Sequence, residues 1–146
     1  MKKALYILFL IALAMPIVSH SQSIEKKLIG TWLMDDKRSF SNLSQETIAH
    51  FDTIPDSQVA EMKNYYIGRK VTFNSDGSFL QELSDGRRIG GNWSFDPDTN
   101  AVTITHPQGG KFQQTVRLTG TKRLLLVPVL SGNVKMFINQ WYFTKL

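Results

Sequence analysis

From Leu28 onward, eight short runs, at 28–35, 70–73, 78–84, 88–95, 101–105, 111–119, 123–130 and 134–145, alternate apolar with polar positions or are rich in β-branched and aromatic residues. Successive side chains of a strand point to opposite faces, so this period of two predicts eight β-strands. In the fifth run Val102 and Ile104 oppose Thr103 and Thr105; in the sixth, Phe112, Val116 and Leu118 oppose Gln113, Thr115 and Arg117. Between the runs stand NSDG at 74–77, SDGR at 84–87, DPDTN at 96–100, PQGG at 107–110, TGTK at 119–122 and SGN at 131–133. Their Gly, Asn and Asp residues supply the positive φ values and local hydrogen bonds of tight turns. An all-β antiparallel meander follows, and eight strands of it are expected to close into a barrel because closure removes the exposed edges. A two-sheet sandwich is the alternative. Pro128 cannot donate to a ladder and is expected at a bulge or a poorly paired end of the seventh strand.

One stretch breaks the alternation. From Leu43 to Ile67 the spacing turns helical, with Leu43, Thr47, Ile48 and Phe51 on one face and Val59, Met62 and Tyr66 on another. Residues 53–57 separate the two patterns and offer Asp56 or Ser57 as an N-cap, while Gly68 is a stop signal. Two short helices over about 43–67 are expected between the first and second strands.

A Gly-x-Trp frame occurs twice, as GTWLMD at 30–35 and GNWSFD at 91–96. Residues i and i+2 share a face of a strand, so each glycine leaves a vacancy beside its tryptophan that a large indole can cover. The flanks of the two frames do not align, which favours a packing device over a duplication. Strand direction then places Trp93 and Trp141 with Trp32 at the lower end, so Gly30, Trp32, Gly91, Trp93 and Trp141 are expected to form a structural plug. The helices and the turns at 84–87, 107–110 and 131–133 fall at the upper end. There Lys37, Arg38, Arg69, Arg87, Arg88, Lys111 and Lys135 would make a broken basic collar among Asp35, Asp36 and Asp85. Such a collar favours anionic headgroups by a modest margin. Gln114 is the polar exception on the apolar face of its strand, and inside a barrel it needs a partner.

The chain opens MKKALYILFLIALAMPIVSHSQS, two lysines followed by an apolar run and small polar residues, which is the layout of a secretory signal. Residues 1–21 are expected to be removed after Ser21, leaving one domain, 22–146, periplasmic or secreted. The apolar run is too short for a comfortable bilayer span, so no transmembrane segment is expected in the mature protein. The chain has no cysteine, so stability must come from packing and hydrogen bonds, and neither thiol catalysis nor a lipid-bearing cysteine is available. Seventeen basic against twelve acidic residues is a mild excess without a basic run interleaved with aromatics, so nucleic acid is not an expected partner.

Catalytic chemistry is not readable. His20 leaves with the signal, and His50 and His106 are far apart in the chain with no ligand spacing around them, so no metal is expected. There is no nucleophile elbow, Walker loop or dinucleotide fingerprint, and no cofactor is expected; Gly90-Gly91 lies inside a strand. Asp35 and Asp36 would face opposite sides if the first strand persists that far, which is poor geometry for acid and base work.

GTW on the first strand, the helical segment, FNSDGSF at 73–79, GNWSFD at 91–96 and WYFTK at 141–145 together resemble the small lipocalin-like, calycin-type proteins exported by Bacteroidetes-type bacteria, over about residues 27–146. The resemblance implies a barrel that binds a small apolar or amphipathic molecule, with Gly30 and Trp32 sealing its closed end. The Thr-Asp-Tyr element of larger lipocalins is missing. The helix pair is more similar to the lid of intracellular fatty-acid-binding proteins, yet their late-strand Arg-x-Tyr pair is replaced by Asn139-Gln140-Trp141-Tyr142, so fatty-acid binding does not carry over. Two functions remain. One is a carrier with Phe51, Tyr65 and Tyr66 at its mouth, Gln114 within, and Arg87 and Arg88 favouring an anionic amphipathic ligand. The other is a ligand-free module, its barrel filled by its own rings, that binds another envelope protein.

Overall fold

The computed structural model describes residues 19–132 and 136–146, with side chains from Ile24 onward. The expected leader lies outside these residues apart from 19–21, and so does Lys135 of the expected collar. Eight strands, β1 (Gly30–Met34), β2 (Lys70–Phe73), β3 (Ser78–Glu82), β4 (Arg88–Asp96), β5 (Ala101–Thr105), β6 (Lys111–Thr119), β7 (Arg123–Pro128) and β8 (Trp141–Lys145), pair in chain order into a closed antiparallel barrel. β8 closes on β1 with Trp32 opposite Lys145 and Met34 opposite Phe143. The meander is therefore a barrel and not a sandwich, as the alternation predicts.

Among the described residues four helices accompany it: α1 (Ser19–Leu28) before β1, then α2 (Asp36–Ser41), α3 (Gln45–Phe51) and α4 (Asp56–Asn64) between β1 and β2. The insertion thus holds three helices rather than two. The additional one, α2, starts as soon as β1 ends because the Asp35 carboxylate accepts the Arg38 N–H at 3.0 Å and caps it. Asp35 and Asp36 consequently do not lie on a strand. Ser44 caps α3 through the Thr47 N–H at 3.1 Å. In α4 Pro55 takes the N-cap position, so Asp56 falls in the first turn, where the helix dipole favours its charge. None of the described helices is long and apolar enough to cross a membrane.

Several strand ends differ from the expected runs, among them the end of β7 and the start of β8. β7 stops at Pro128, which pairs with Gln114, and the ladder gives out after Val129 donates to the Gln113 carbonyl at 2.9 Å. β8 starts at Trp141 rather than 134, and the described part of the connection, 136–140, is not a strand; its Ile138 is fully buried.

The lower end of the barrel, where α1 joins β1, is filled by the chain's own side chains. Trp32 is fully buried and its indole N–H donates to the Leu28 carbonyl at 2.7 Å. Phe73 packs 5.3 Å from Trp93, whose indole N–H donates to the Asn74 carbonyl at 2.9 Å. Trp141 is not part of this floor. Because β8 begins at Trp141 and runs downward, that indole sits at the upper end; a strand starting at 134, as the sequence pattern predicts, would put it late in β8 and hence low. The glycines also act differently from the expected indole cover. A Cβ at Gly30, whose φ is +128°, would meet the Lys145 stem at 2.8 Å, and a Cβ at Gly91 would meet the Thr105 carbonyl oxygen at 2.6 Å. One vacancy admits a lysine stem and the other a neighbouring backbone.

Candidate functional site

The upper half of the barrel is not filled. A cavity of about 220 Å³ lies inside it, with Val71, Phe79, Ile104, Leu126 and Phe143 among its apolar walls. These residues come from β2, β3, β5, β7 and β8, where alternation turns them inward; Phe79, paired with Phe73, and Phe143, in the middle of β8, bound the space from below. Tyr65 and Tyr66, which follow α4, and Met136 of the β7–β8 connection also line it. Above them the cover is held by rings: Phe137 stacks on Tyr66 at 5.4 Å and 10°, and Phe51 lies 4.8 Å from Phe137. Phe51 therefore belongs to the cover and not to the cavity lining.

Arg69 is the unexpected occupant of this site. It precedes β2 in the same parity as Val71 and Phe73, so its side chain enters the barrel, and it is 2% exposed. The guanidinium lies 4.5 Å from the centre of the Tyr66 ring and 5.1 Å from those of Tyr65 and Trp141. Its Nη2 reaches the Tyr65 carbonyl only at 3.4 Å, and its Nε has no hydrogen-bond partner. Among the described residues no carboxylate lies within ion-pair distance of it. Burial lowers the arginine's affinity for its proton, with Tyr66 and then Tyr65 opposing the shift. The same burial raises the Tyr66 hydroxyl, partly offset by Arg69. Each cation–π contact is worth about 0.5 to 2 kcal/mol, against several kcal/mol to desolvate an ion, so the rings offset part of the cost and leave the Nε hydrogen without an acceptor.

Gln114 faces the same cavity from β6 and is 1% exposed. Its Nε2 also has no hydrogen-bond partner. Gln81 and His106 complete the polar lining; His106 Nδ1 is 3.4 Å from the Gly90 carbonyl oxygen. The close approach of β5 to Gly91 holds His106 on this wall. Trp141, Tyr65, Tyr66, Arg69 and Gln114 are thus brought together around one interior space.

Arg87 and Arg88 are not. Arg87 pairs with Asp85 at 2.7 Å and Arg88 with Glu82 at 2.9 Å, with their side chains 62% and 70% exposed. Arg87 only reaches the outer side of the cover, 5.4 Å from the Tyr65 ring. Arg38 lies on the outside too, 4.3 Å over Tyr142 in a groove shared with Arg117 and Arg123. Among the described residues the expected collar therefore separates into one buried cation and a set of surface ones. Among the described residues no cluster of three or more His, Asp and Glu side chains could hold a metal.

No protein-family model matches the chain, and no curated protein does. Among solved structures it is similar to a DUF4847 family protein from Bacteroides vulgatus ATCC 8482, at 19% identity and a TM-score of 0.47, over 84% of this chain and 96% of that one. At that identity and score the likeness assigns no ligand, and the functional reading rests on this chain's own geometry.

Proposed function

We propose that the protein is an exported, lipocalin-like binding protein that holds a small amphipathic molecule in the upper cavity, beneath α2–α4 and the β7–β8 connection. The observation that carries this reading is the unfilled space itself: about 220 Å³ walled by apolar groups, with a few polar side chains turned into it. That combination is how small-molecule sites are built, apolar for affinity and sparsely polar for orientation. The leader-like residues 1–21 support a periplasmic or secreted setting. Native mass spectrometry of the protein exported from the full chain and purified without detergent tests it. A discrete added mass that solvent extraction removes is the expected result; a bare mass that no added amphiphile shifts would overturn it.

A second reading, a module that binds another envelope protein, is favoured by one feature. Val129 and Leu130 stay 47% and 44% exposed beside a groove lined by Thr103, Lys111, Gln113 and Met136. Pull-down from envelope extract with the Leu130→Asp variant as control separates the two.

A further inference from the structure

Two buried donors that line one cavity and lack acceptors pose a specific chemical question. Arg69 and Gln114 are 2% and 1% exposed, and Arg69 Nε and Gln114 Nε2 have no partner. Buried donors are nearly always satisfied, so the complement of this site carries acceptors. Because Arg69 is cationic and faces no carboxylate among the described residues, that complement carries negative charge.

The kind of anion follows from charge and shape. A single negative charge neutralises the one guanidinium, whereas a dianion would leave an uncompensated charge among apolar walls. A guanidinium presents its N–H groups as a planar fork that matches a carboxylate. The size of the molecule follows from the space. A cavity of about 150 Å³ accommodates benzene, so 220 Å³ suits roughly eight to ten non-hydrogen atoms. Val71, Ile104 and Leu126 then take its apolar part.

We propose that Arg69 and Gln114 form a carboxylate site and that the ligand is a compact monocarboxylate with an aliphatic or aromatic body, no longer than a medium chain. This rests on the carrier reading above and specifies its ligand class. Long acyl chains do not fit unless the Tyr66–Phe137 stack parts.

Calorimetric titration of the exported, solvent-extracted protein with octanoate, octan-1-ol, octylamine and palmitate tests the inference. Octanoate is expected to bind about tenfold or more tightly than octan-1-ol, with octylamine and palmitate weaker still. Arg69→Met should bring octanoate down to the level of the alcohol while leaving the alcohol's affinity within about twofold. If Arg69→Met does not fold, Gln114→Leu, a change to a side chain suited to the walls, should still weaken octanoate by about threefold or more and spare octan-1-ol. Equal binding of acid and alcohol would overturn the carboxylate site and leave the carrier reading standing. Palmitate bound as tightly as octanoate would overturn the size assignment. No binding of any of the four would overturn both readings.

Discussion

The Trp32 indole N–H donates to the Leu28 carbonyl at 2.7 Å across the closed end of the barrel, and both residues are fully buried. The contact ties the end of α1 to β1, and Lys145 lies 5.0 Å over the same ring while donating to the Lys27 carbonyl at 2.9 Å. The end of α1 and the end of β8 are thus fastened to one indole. Trp32→Ala removes the ring and orphans a buried carbonyl, so it should cost about 3 to 5 kcal/mol in urea unfolding. A loss below about 1 kcal/mol would mean that the floor repacks without it.

Gln114 links stability and binding with opposite signs. Its Nε2 has no partner among the protein groups around it, and an unsatisfied buried donor costs about 1 to 3 kcal/mol. Gln114→Leu should therefore raise the unfolding midpoint of the ligand-free protein while weakening octanoate. A variant that loses both stability and binding would show that Gln114 already has a partner in the fold.

Gly91 tests the close approach that sets the cavity wall. A methyl there would sit 2.6 Å from the Thr105 carbonyl oxygen, which is backbone and cannot swing aside. Gly91→Ala should cost about 1 to 3 kcal/mol through this overpacking and should shift the His106 ring resonances. Unchanged resonances would place the relaxation elsewhere.

Asp36 carries a pH dependence. Burial raises its carboxyl above the ordinary 3.8, Asp35 adds repulsion, and the Gly68 N–H, 3.3 Å away, opposes the shift. The folded state therefore keeps its proton to higher pH than the unfolded chain. Its contribution is fully present below 3.8 and is lost as pH rises through the folded value. Asp36→Asn removes that loss and retains an oxygen for Gly68, so its stability relative to the native chain should grow as pH rises from about 3 to 7. Urea midpoints at the two ends measure it, and a difference that shrinks with pH would reverse the assignment.

The barrel was legible because alternation is a short-range signal that each strand carries alone: Val102 and Ile104 against Thr103 and Thr105 suffice for β5. Gln114 stood out by the same logic, as a polar residue in an apolar parity. Arg69 carried that signal as well, in parity with Val71 and Phe73, but its position just before β2 made it look like one more surface cation. Trp141 reads as low in the sequence because nothing local marks where β8 begins; Met136, Phe137 and Ile138 are as apolar as a buried strand, yet they leave the sheet and bring Phe137 onto Tyr66. The cavity itself is not a sequence property. It is the volume left after six strands and the cover pack, and no residue pattern counts that space.

Arg87 and Arg88 separate surface attraction from interior recognition. Their charges are solvated and already paired with Asp85 and Glu82, and exposed pairs of this kind contribute little. At about 0.15 M salt the screening length is near 8 Å, so a charge on the outer rim acts only weakly on an anion inside the barrel. Arg69 acts there without that screening, since it is 2% exposed and lines the cavity. Reversing both rim charges, Arg87→Glu with Arg88→Glu, should slow association at low salt and leave octanoate affinity at physiological salt within about twofold. Stopped-flow titration at two salt concentrations reads both quantities. If the double reversal instead costs as much affinity at physiological salt as Arg69→Met, the anion is bound at the rim and the interior site is wrong.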